Sequence, residues 1–371
     1  MAIDDIYREL QEHLDELPIG YPATDSGVEI RILKHYFSPE KARIAINLTF
    51  MPETIEQIYP RVKEIGLSIE ELEQTLDKMY EKGCINRYKR TVESGERKFY
   101  ANALLAIGML EYKLKDLSRE FCEDFEQYML HEGFLEEMTL TKIPQFRTIP
   151  LNKEVTFDNQ VAMYDDVRKI IENVRGRISL ADCICRKGKD ELGRPCKATK
   201  LREICMQFGT AAELYIDKGF SRPITKEEAF EILKVAEKDG LVVSPGNAIY
   251  PPFICLCCGC CCEYLGNKKT LSKPIQYYRT NYYAKIDAEE CTGCGTCIER
   301  CQMDALTLVD DISVVDRDRC IGCGICVPTC PSEAIKLEKL EEETIPPKNM
   351  GLLYANIMKK KKEIKRNIIK E

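Results

Sequence analysis

Histidine is scarce in this chain, with three in 371 residues. None lies near the cysteines described below, so the thiolate–imidazole sets common at zinc sites are not expected. No run of 18 apolar residues occurs, and no membrane-spanning helix is expected. No G-x-G-x-x-G, Walker A or H-E-x-x-H pattern occurs, so the sequence offers no nucleotide site or metalloprotease helix of its own. Acidic and basic residues nearly balance, at a net charge of −7, which implies no general polyanion partner. Met1-Ala-Ile-Asp-Asp5 has no basic stretch followed by an apolar one, so no secretory signal is expected. The composition, 44% hydrophobic and 31% charged, is that of an ordinary soluble protein, with length for two or three domains. What is abundant is cysteine, with twenty residues. In an unexported chain these point to metal clusters in a reducing cytoplasm rather than to disulfides. Because clusters with accessible edges oxidise easily, an anaerobic host is expected.

Eight of the cysteines form two strings of one spacing: Cys291, Cys294, Cys297 and Cys301, then Cys320, Cys323, Cys326 and Cys330, the last followed by Pro331. This is the spacing that wraps 4Fe–4S cubanes of bacterial type, in which the fourth cysteine of each string ligates the other cluster. One expected cubane therefore takes Cys291, Cys294, Cys297 and Cys330, and the second takes Cys320, Cys323, Cys326 and Cys301. Gly293, Gly295, Gly322 and Gly324 let the backbone curl and aim amides at sulfur. The strings repeat at a period of 29 residues, and their flanks repeat too, Ile298 to Leu306 matching Val327 to Ile335. Residues 280–340 resemble the two-cluster ferredoxin family, built by internal duplication. The resemblance implies a pseudo-symmetric α+β unit, and Tyr282–Ile286, Leu306–Val309, Ile312–Val315 and Ile335–Glu338 read as its short strands, with a hairpin turn at Asp310-Asp311. Gln302 departs from the family pattern, which has proline there. The alternatives for these cysteines are zinc, which prefers paired C-x-x-C units, and a disulfide framework, which needs an oxidising compartment.

A second field of ten cysteines lies upstream: Cys183, Cys185, Cys196 and Cys205, then Cys255, Cys257, Cys258, Cys260, Cys261 and Cys262. Six cysteines in eight residues cannot all face one cluster, because the chain alternates or curls, so some must bind a different metal from their neighbours. Cys205 is expected in a helix from Lys200 to Lys218, and Cys183 and Cys185 in a loop after Arg177-Ile-Ser-Leu-Ala181. The upstream cysteines are expected to meet the 255–262 string in space and to hold one or two additional iron–sulfur clusters, either cubanes or one larger non-cubane cluster. Cys257-Cys258-Gly259 resembles the CCG motifs of the cysteine-rich subunits of heterodisulfide reductases, which hold unusual clusters. A zinc site and reduced structural thiols are the alternatives. Cys84 and Cys122, on helix-like stretches, read as buried inert thiols.

The first third reads as three helices and a hairpin. Glu40 to Phe50 is the first helix, Glu53 to Ile65 the second, and Ile69 to Lys82 the third, opened by a Ser68/Glu71 capping box and stopped by Gly83. A hairpin follows, with its turn at Glu93-Ser-Gly-Glu96. This resembles a winged helix-turn-helix domain, which implies a third helix able to enter the major groove. Over residues 68–82, however, the net charge is −3, the wrong sign for phosphate. The wing is basic (Arg87, Lys89, Arg90, Arg97, Lys98). DNA binding is therefore not expected, and docking to a protein partner or a homodimer through this domain is preferred.

The expected fold class is multi-domain α+β: a winged-helix-like domain over 1–118, a helical connector over 119–180, a cysteine-rich cluster-binding domain over 181–279, a two-cluster ferredoxin-like domain over 280–340 and a basic C-terminal helix over 341–371. Within these, residues 111–140 read as one charged helical segment, Leu140 to Phe157 as an extended connector and Asp158 to Arg175 as a helix. A further helix runs from a Thr225/Glu228 capping box to Asp239. The tail helix, with Lys359–Lys362, Lys365 and Arg366, reads as a solvated or docking helix, with an acidic partner or nucleic acid as the alternative. Taken whole, the chain resembles the multi-domain 4Fe–4S dicluster proteins of anaerobic bacteria and archaea. The residues that carry this are Tyr21 to Gly27, Arg31-Ile-Leu33, Cys183 with Cys185, the 255–262 string and the ferredoxin strings. The expected function is single-electron relay between redox partner proteins. The alternatives are a cluster-sensing transcription regulator, and a reductase with an atypical cluster at 255–262.

Overall fold

The computed structural model describes residues 3–92, 95–151 and 162–368. The centre of the hairpin turn at 93–94, the connector beyond 151, the start of the helix expected from Asp158 and the last three residues of the tail lie outside the described residues. The chain divides after Leu140 into two compact units.

The first unit opens with helix α1 (Ile3–Asp15) and α2 (Val28–Tyr36). Helical spacing buries Tyr7, Leu10 and Leu14 on one and Val28, Ile32, Leu33 and Tyr36 on the other. The segment Tyr21–Gly27 that precedes α2 works structurally. The Tyr21 hydroxyl donates to the Glu29 carbonyl at 2.9 Å, and the buried Glu29 carboxylate receives Arg8 at 2.8 Å. Arg31 donates to Asp124 at 2.9 Å. Helix α3 (Pro39–Ala45) ends earlier than expected, because its last carbonyls find partners outside a helix: Asn102 Nδ2 donates to Ala45 O at 3.0 Å and Leu48 O at 2.9 Å. Helix α4 (Ile55–Val62) starts at a Thr54/Gln57 capping box and α5 (Ile69–Lys82) at the Ser68/Glu71 box. Strands β1 (Ile85–Val92) and β2 (Gly95–Asn102) pair antiparallel from Ile85–Asn102 to Val92–Gly95.

The single helix expected over 111–140 is broken in three. A short 3-10 turn covers Glu111–Lys115, α6 covers Arg119–His131 and α7 covers Phe134–Leu140. Ser118 accepts from the Phe121 amide at 3.2 Å and so starts a new helix. Cys84 and Cys122 are both buried, and Cys84 Sγ donates to Tyr36 O at 3.1 Å.

The hairpin's basic residues are largely paired. Arg87 and Lys98 bind Asp77 at 2.8 and 2.7 Å, Arg97 binds Glu56 and Lys89 binds Glu96, both at 3.1 Å. Partial burial pushes the Asp77 pKa up, but hydrogen bonds from Lys98, Arg87 and Tyr100 outweigh this and hold it below the usual 3.8. A lowered carboxyl stabilises the fold above its unfolded pKa and loses that contribution as pH falls through the folded value. Acid titration of the urea midpoint should therefore show a loss below about pH 4 that is smaller in Asp77→Asn than in the wild type. Equal acid sensitivity in both would contradict this.

The second unit is built on one five-stranded sheet. Its elements in chain order are α8 (Val167–Glu172), β3 (Ile178–Asp182), α9 (Ile184–Glu191), β4 (Glu203–Phe208), α10 (Thr210–Asp217), β5 (Ser221–Ile224), α11 (Lys226–Asp239), β6 (Val242–Pro245) and β7 (Phe253–Cys257). The strand order is β5-β3-β4-β7-β6, antiparallel throughout. Three expectations are corrected here. Residues 200–209 are not helical. Ile204, Met206 and Phe208 alternate into the core while the backbone pairs with β3 on one side and β7 on the other, so Cys205 lies on a strand and the helix is confined to α10. Cys183 and Cys185 do not sit in an open loop, since Cys183 caps α9 and Cys185 lies within it. The expected helix ending at Arg175 is likewise shorter, starting at an Asp166 cap.

One face of the sheet carries Leu180, Ile204, Met206, Val243, Ile254 and Leu256, packed with Leu233 and Ala236 of α11. In its described part, up to Leu151, the connector is extended from Ile143, and Phe146 and Ile149 bridge to Gly246 and to Val243 of β6. Arg147, on this connector, forms a fully buried ion pair with Asp165, whose other oxygen accepts from Asn281 at 2.7 Å.

After the short helix α12 (Leu265–Lys269) come β8 (Tyr282–Ile286), α13 (Thr296–Arg300), β9 (Leu306–Val309), β10 (Ile312–Val315) and β11 (Ile335–Lys339). The pairing crosses the sequence repeat: β8 with β11 and β9 with β10. Asp310 and Asp311 adopt left-handed φ values of 50° and 60°, which makes the two-residue hairpin turn. Helix α14 (Met350–Ile368) docks on the same unit through buried Leu353 and Ile357, with the Tyr354 hydroxyl bonded to Gln145 at 3.0 Å. Lys359, Lys360, Lys362, Lys365 and Arg366 remain on its exposed face.

Candidate metal centres

The duplicated unit brings its eight cysteines to two cavities. Cys291, Cys294, Cys297 and Cys330 line one, with Thr292, Thr296, Ser313 and Ser332. Cys301, Cys320, Cys323 and Cys326 line the other, with Ala284, Met303, Ala305, Leu306, Ile321, Ile325 and Leu337. Each cavity thus takes three sulfurs from one string and one from the other.

The backbone around them is shaped for a guest. Gly293 and Gly322, one repeat apart, have φ of 66° and 62°, where an L side chain is strained. A Cβ on Gly293 would stand 2.3 Å from Asp311 O, and one on Gly322 would stand 2.1 Å from Tyr282 O. The loops therefore press against the β9–β10 turn and against β8. Asp304 and Glu333, again one repeat apart, share a left-handed φ of 51° and 55°. Amides also reach sulfur directly: Ser313 N to Cys291 Sγ at 3.4 Å, Ala305 N to Cys301 Sγ at 3.3 Å and Ala284 N to Cys320 Sγ at 3.5 Å.

The two cavities differ in polarity. In the first, Ser313 Oγ lies 3.2 Å from Cys297 Sγ and Thr296 Oγ1 3.5 Å from Cys294 Sγ, and Cys294 is exposed. Hydrogen bonds from Thr296 draw the Cys294 thiol below its ordinary pKa. In the second, burial pushes Cys323 up to about 12, and pushes Cys326 well up too. Neutral thiols are favoured there until a metal takes the proton's place.

The upstream field meets the 255–262 string through the sheet. Cys205, Cys255 and Cys257 alternate with core residues and so occupy the face opposite the apolar one. Gln207 Nε2 donates to Cys205 Sγ at 3.2 Å. Beyond Cys257 the chain leaves the strand and turns, and this turn parts neighbouring cysteines. Cys183 hydrogen-bonds Cys185, which with burial raises it well above an ordinary thiol. For Cys185, the bond with Cys183 lowers, but contact with Cys262 and burial raise it further. Cys257, hydrogen-bonded by Cys255 and then by Cys262, is drawn below an ordinary thiol. Cys262 also accepts from the Leu265 amide at 3.3 Å. Cys196, in contrast, is drawn towards Cys258, Cys260 and Cys261.

Two residues that sequence reasoning left without a role connect the fields. Gln302 Oε1 accepts from the Gly259 amide at 2.7 Å, while its Nε2 donates to Gly240 O at 3.0 Å. Arg300 donates to the carbonyls of Glu237 and Lys238 at the end of α11. Gln302 is therefore a fastener between the duplicated unit and the turn of the second cysteine field. Nothing in the spacing announced it, since its partners lie some forty and sixty residues upstream.

Residues 284–337 match the family model of the 4Fe-4S dicluster domain. No curated protein and no solved structure matches the chain. Residues 284–337 thus constitute an iron–sulfur domain, and the described helices include none long and apolar enough to cross a membrane.

Gln302→Pro should remove both hydrogen bonds and destabilise the second unit by about 1–3 kcal/mol, taking about 0.5–1.5 kcal/mol per bond. Peptides covering 255–264 should exchange amide hydrogen faster in the variant. Unchanged exchange would show that Gln302 fastens nothing.

Proposed function

We propose that this protein relays single electrons between redox partner proteins through two 4Fe–4S clusters in the 280–340 region and at least one further cluster in the 183–262 field. The observation that carries the reading is the crosswise grouping of four cysteines at each of two cavities. One cluster is held by Cys291, Cys294, Cys297 and Cys330, and the other by Cys320, Cys323, Cys326 and Cys301. The clusters supply one-electron chemistry, and the chain's residues set where and at what potential it occurs.

The first cavity is the entry edge. Its exposed Cys294 brings cluster sulfur near the surface, where a partner can dock. Its hydroxyls favour the more negative, reduced state, because a thiolate can only accept from Ser313 and Thr296. The second cavity is apolar and better buried, which disfavours added charge and lowers its potential relative to the first. From there the short connection Cys301-Gln302 to Gly259 leads to the second field. Cys183, Cys185, Cys257 and Cys262, with Cys205 and Cys255 beside them, supply the ligands of the further cluster.

The winged-helix-like part of the first unit serves protein docking or a homodimer in this reading, not DNA. Its third helix is acidic, and Arg87, Lys89, Arg97 and Lys98 of the hairpin are already engaged by carboxylates. A cytoplasmic, oxygen-poor setting suits the exposed cluster edge.

Anaerobically purified protein should contain about four irons and four sulfides per cubane, and reduction should give low-temperature EPR signals from more than one cluster. Cys294→Ser should perturb one ferredoxin cluster and leave the signal of the upstream field intact. Colourless protein without labile sulfide would end the proposal. Ser313→Ala should lower the potential of the same cluster by roughly 20–60 mV, the equivalent of one neutral hydrogen bond of about 0.5–1.5 kcal/mol for a one-electron couple. An unshifted potential in a redox titration would remove Ser313 from the argument.

A further inference from the structure

The ten upstream cysteines fall into two groups of different geometry. Cys196 Sγ lies 3.7 Å from Cys258 Sγ and 3.8 Å from Cys260 Sγ. Cys260 Sγ lies 3.6 Å from both Cys258 and Cys261. All four sulfurs fall within 4.8 Å of one another, and among the described residues no other three potential ligands of this kind gather so closely. We propose that Cys196, Cys258, Cys260 and Cys261 hold one metal ion, zinc or iron, in a mononuclear tetrathiolate site separate from every iron–sulfur cluster.

The sulfur spacing carries this. A tetrahedron of thiolates with metal–sulfur bonds of about 2.3 Å has edges of about 3.8 Å. Four of the six edges here are 3.6–3.8 Å. On a cubane each thiolate binds a different iron, with sulfide corners between, so its sulfurs stand well beyond mutual contact. The ferredoxin cysteines show that second pattern, gathered around cavities and not at one point.

Arg186 is an independent observation at the same place. Its side chain is 1% exposed. One nitrogen donates to Leu256 O at 2.9 Å and lies 3.5 Å from Cys258 Sγ, while Nε and Nη1 have no hydrogen-bond partner. A buried, under-paired guanidinium is costly unless negative charge lies beside it. Four thiolates around a divalent ion leave a net charge of about −2 by formal count, which Arg186 partly offsets.

The chain positions fit a clamp. Cys196 lies in the irregular segment between α9 and β4, and Cys258, Cys260 and Cys261 lie in the turn after β7. All four coordination positions come from protein, as in closed structural sites. The assignment does not rest on the relay, and it leaves Cys183, Cys185, Cys205, Cys255, Cys257 and Cys262 for a cluster.

The test is metal and labile-sulfide analysis of the full chain purified without oxygen, with Cys196→Ser/Cys260→Ser beside it. The wild type should carry one zinc per chain, or one iron in excess of sulfide. The double variant should lose that single ion with its sulfide unchanged. If zinc is present, its X-ray absorption should report four sulfurs at about 2.3 Å. Excess iron would identify the ion as iron and equally support the site. Wild-type iron equal to sulfide with no zinc would overturn the proposal, as would joint loss of iron and sulfide from the variant. Should the variant fail to fold, the wild-type stoichiometry decides alone.

Discussion

The convergence of sulfur from distant parts of the chain is the constraint around which the second unit is organised. A single loop of C-x-x-C-x-x-C spacing brings three sulfurs together, but the fourth comes from the other repeat. Neither half of the duplicated unit completes its cavity alone. The strand pairing follows the same rule, since β8 binds β11 and β9 binds β10. Exchange of strands and exchange of cysteines are two expressions of one pseudo-symmetric fold. Its tolerance is small: even a methyl group would collide with a carbonyl of the β9–β10 turn at Gly293 and with one of β8 at Gly322.

The upstream field solves a harder packing problem by changing backbone geometry midway through its sequence. Along β7, period two sends Ile254 and Leu256 into the core and Cys255 and Cys257 to the opposite face. The turn after Cys257 abandons that period, and Cys258 and Cys261 swing back to pack against the core cluster. Adjacent cysteines are thereby delivered to different neighbours: Cys257 to Cys255 and Cys262, and Cys258 to Cys196 and Cys260. A dense cysteine run becomes two separate donor sets because half of it is strand and half is turn.

Sequence reasoning reached local structure most reliably where the signal was itself local. The capping box at Ser68 and the β9–β10 hairpin with its Asp310-Asp311 turn depend on residues within one turn or hairpin. It failed at 200–209, where Lys200 to Lys218 reads as one helix. Strand β4 exists because β3 and β7 flank it, and that pairing is invisible in the strand's own residues. Gln302 and Arg186 were missed for the same reason. Both act on backbone or sulfur far away in sequence. That six cysteines in eight residues would not all face one way was legible from backbone geometry; which ones part was not, because it turns on where β7 ends.

The distribution of charge sets the two units apart. In the first, the hairpin cations are drawn onto the carboxylates of Asp77, Glu73 and Glu56, so basic composition there does not become a field that attracts phosphate. In the second, the exposed face of α14 keeps five cations, Lys359, Lys360, Lys362, Lys365 and Arg366, on one helix, and Lys360 pairs with Glu363 of the same helix at 3.4 Å. The field of such a face is positive and is screened by salt, so it is strongest at low ionic strength. Such a field acts at a distance, whereas the cavity lined by Cys291, Cys294, Cys297 and Cys330 reaches the surface at the exposed Cys294. The two features fall on different residues, the cations of α14 and Cys294, and a cation set beside an iron centre there would raise its potential by favouring the more negative, reduced state.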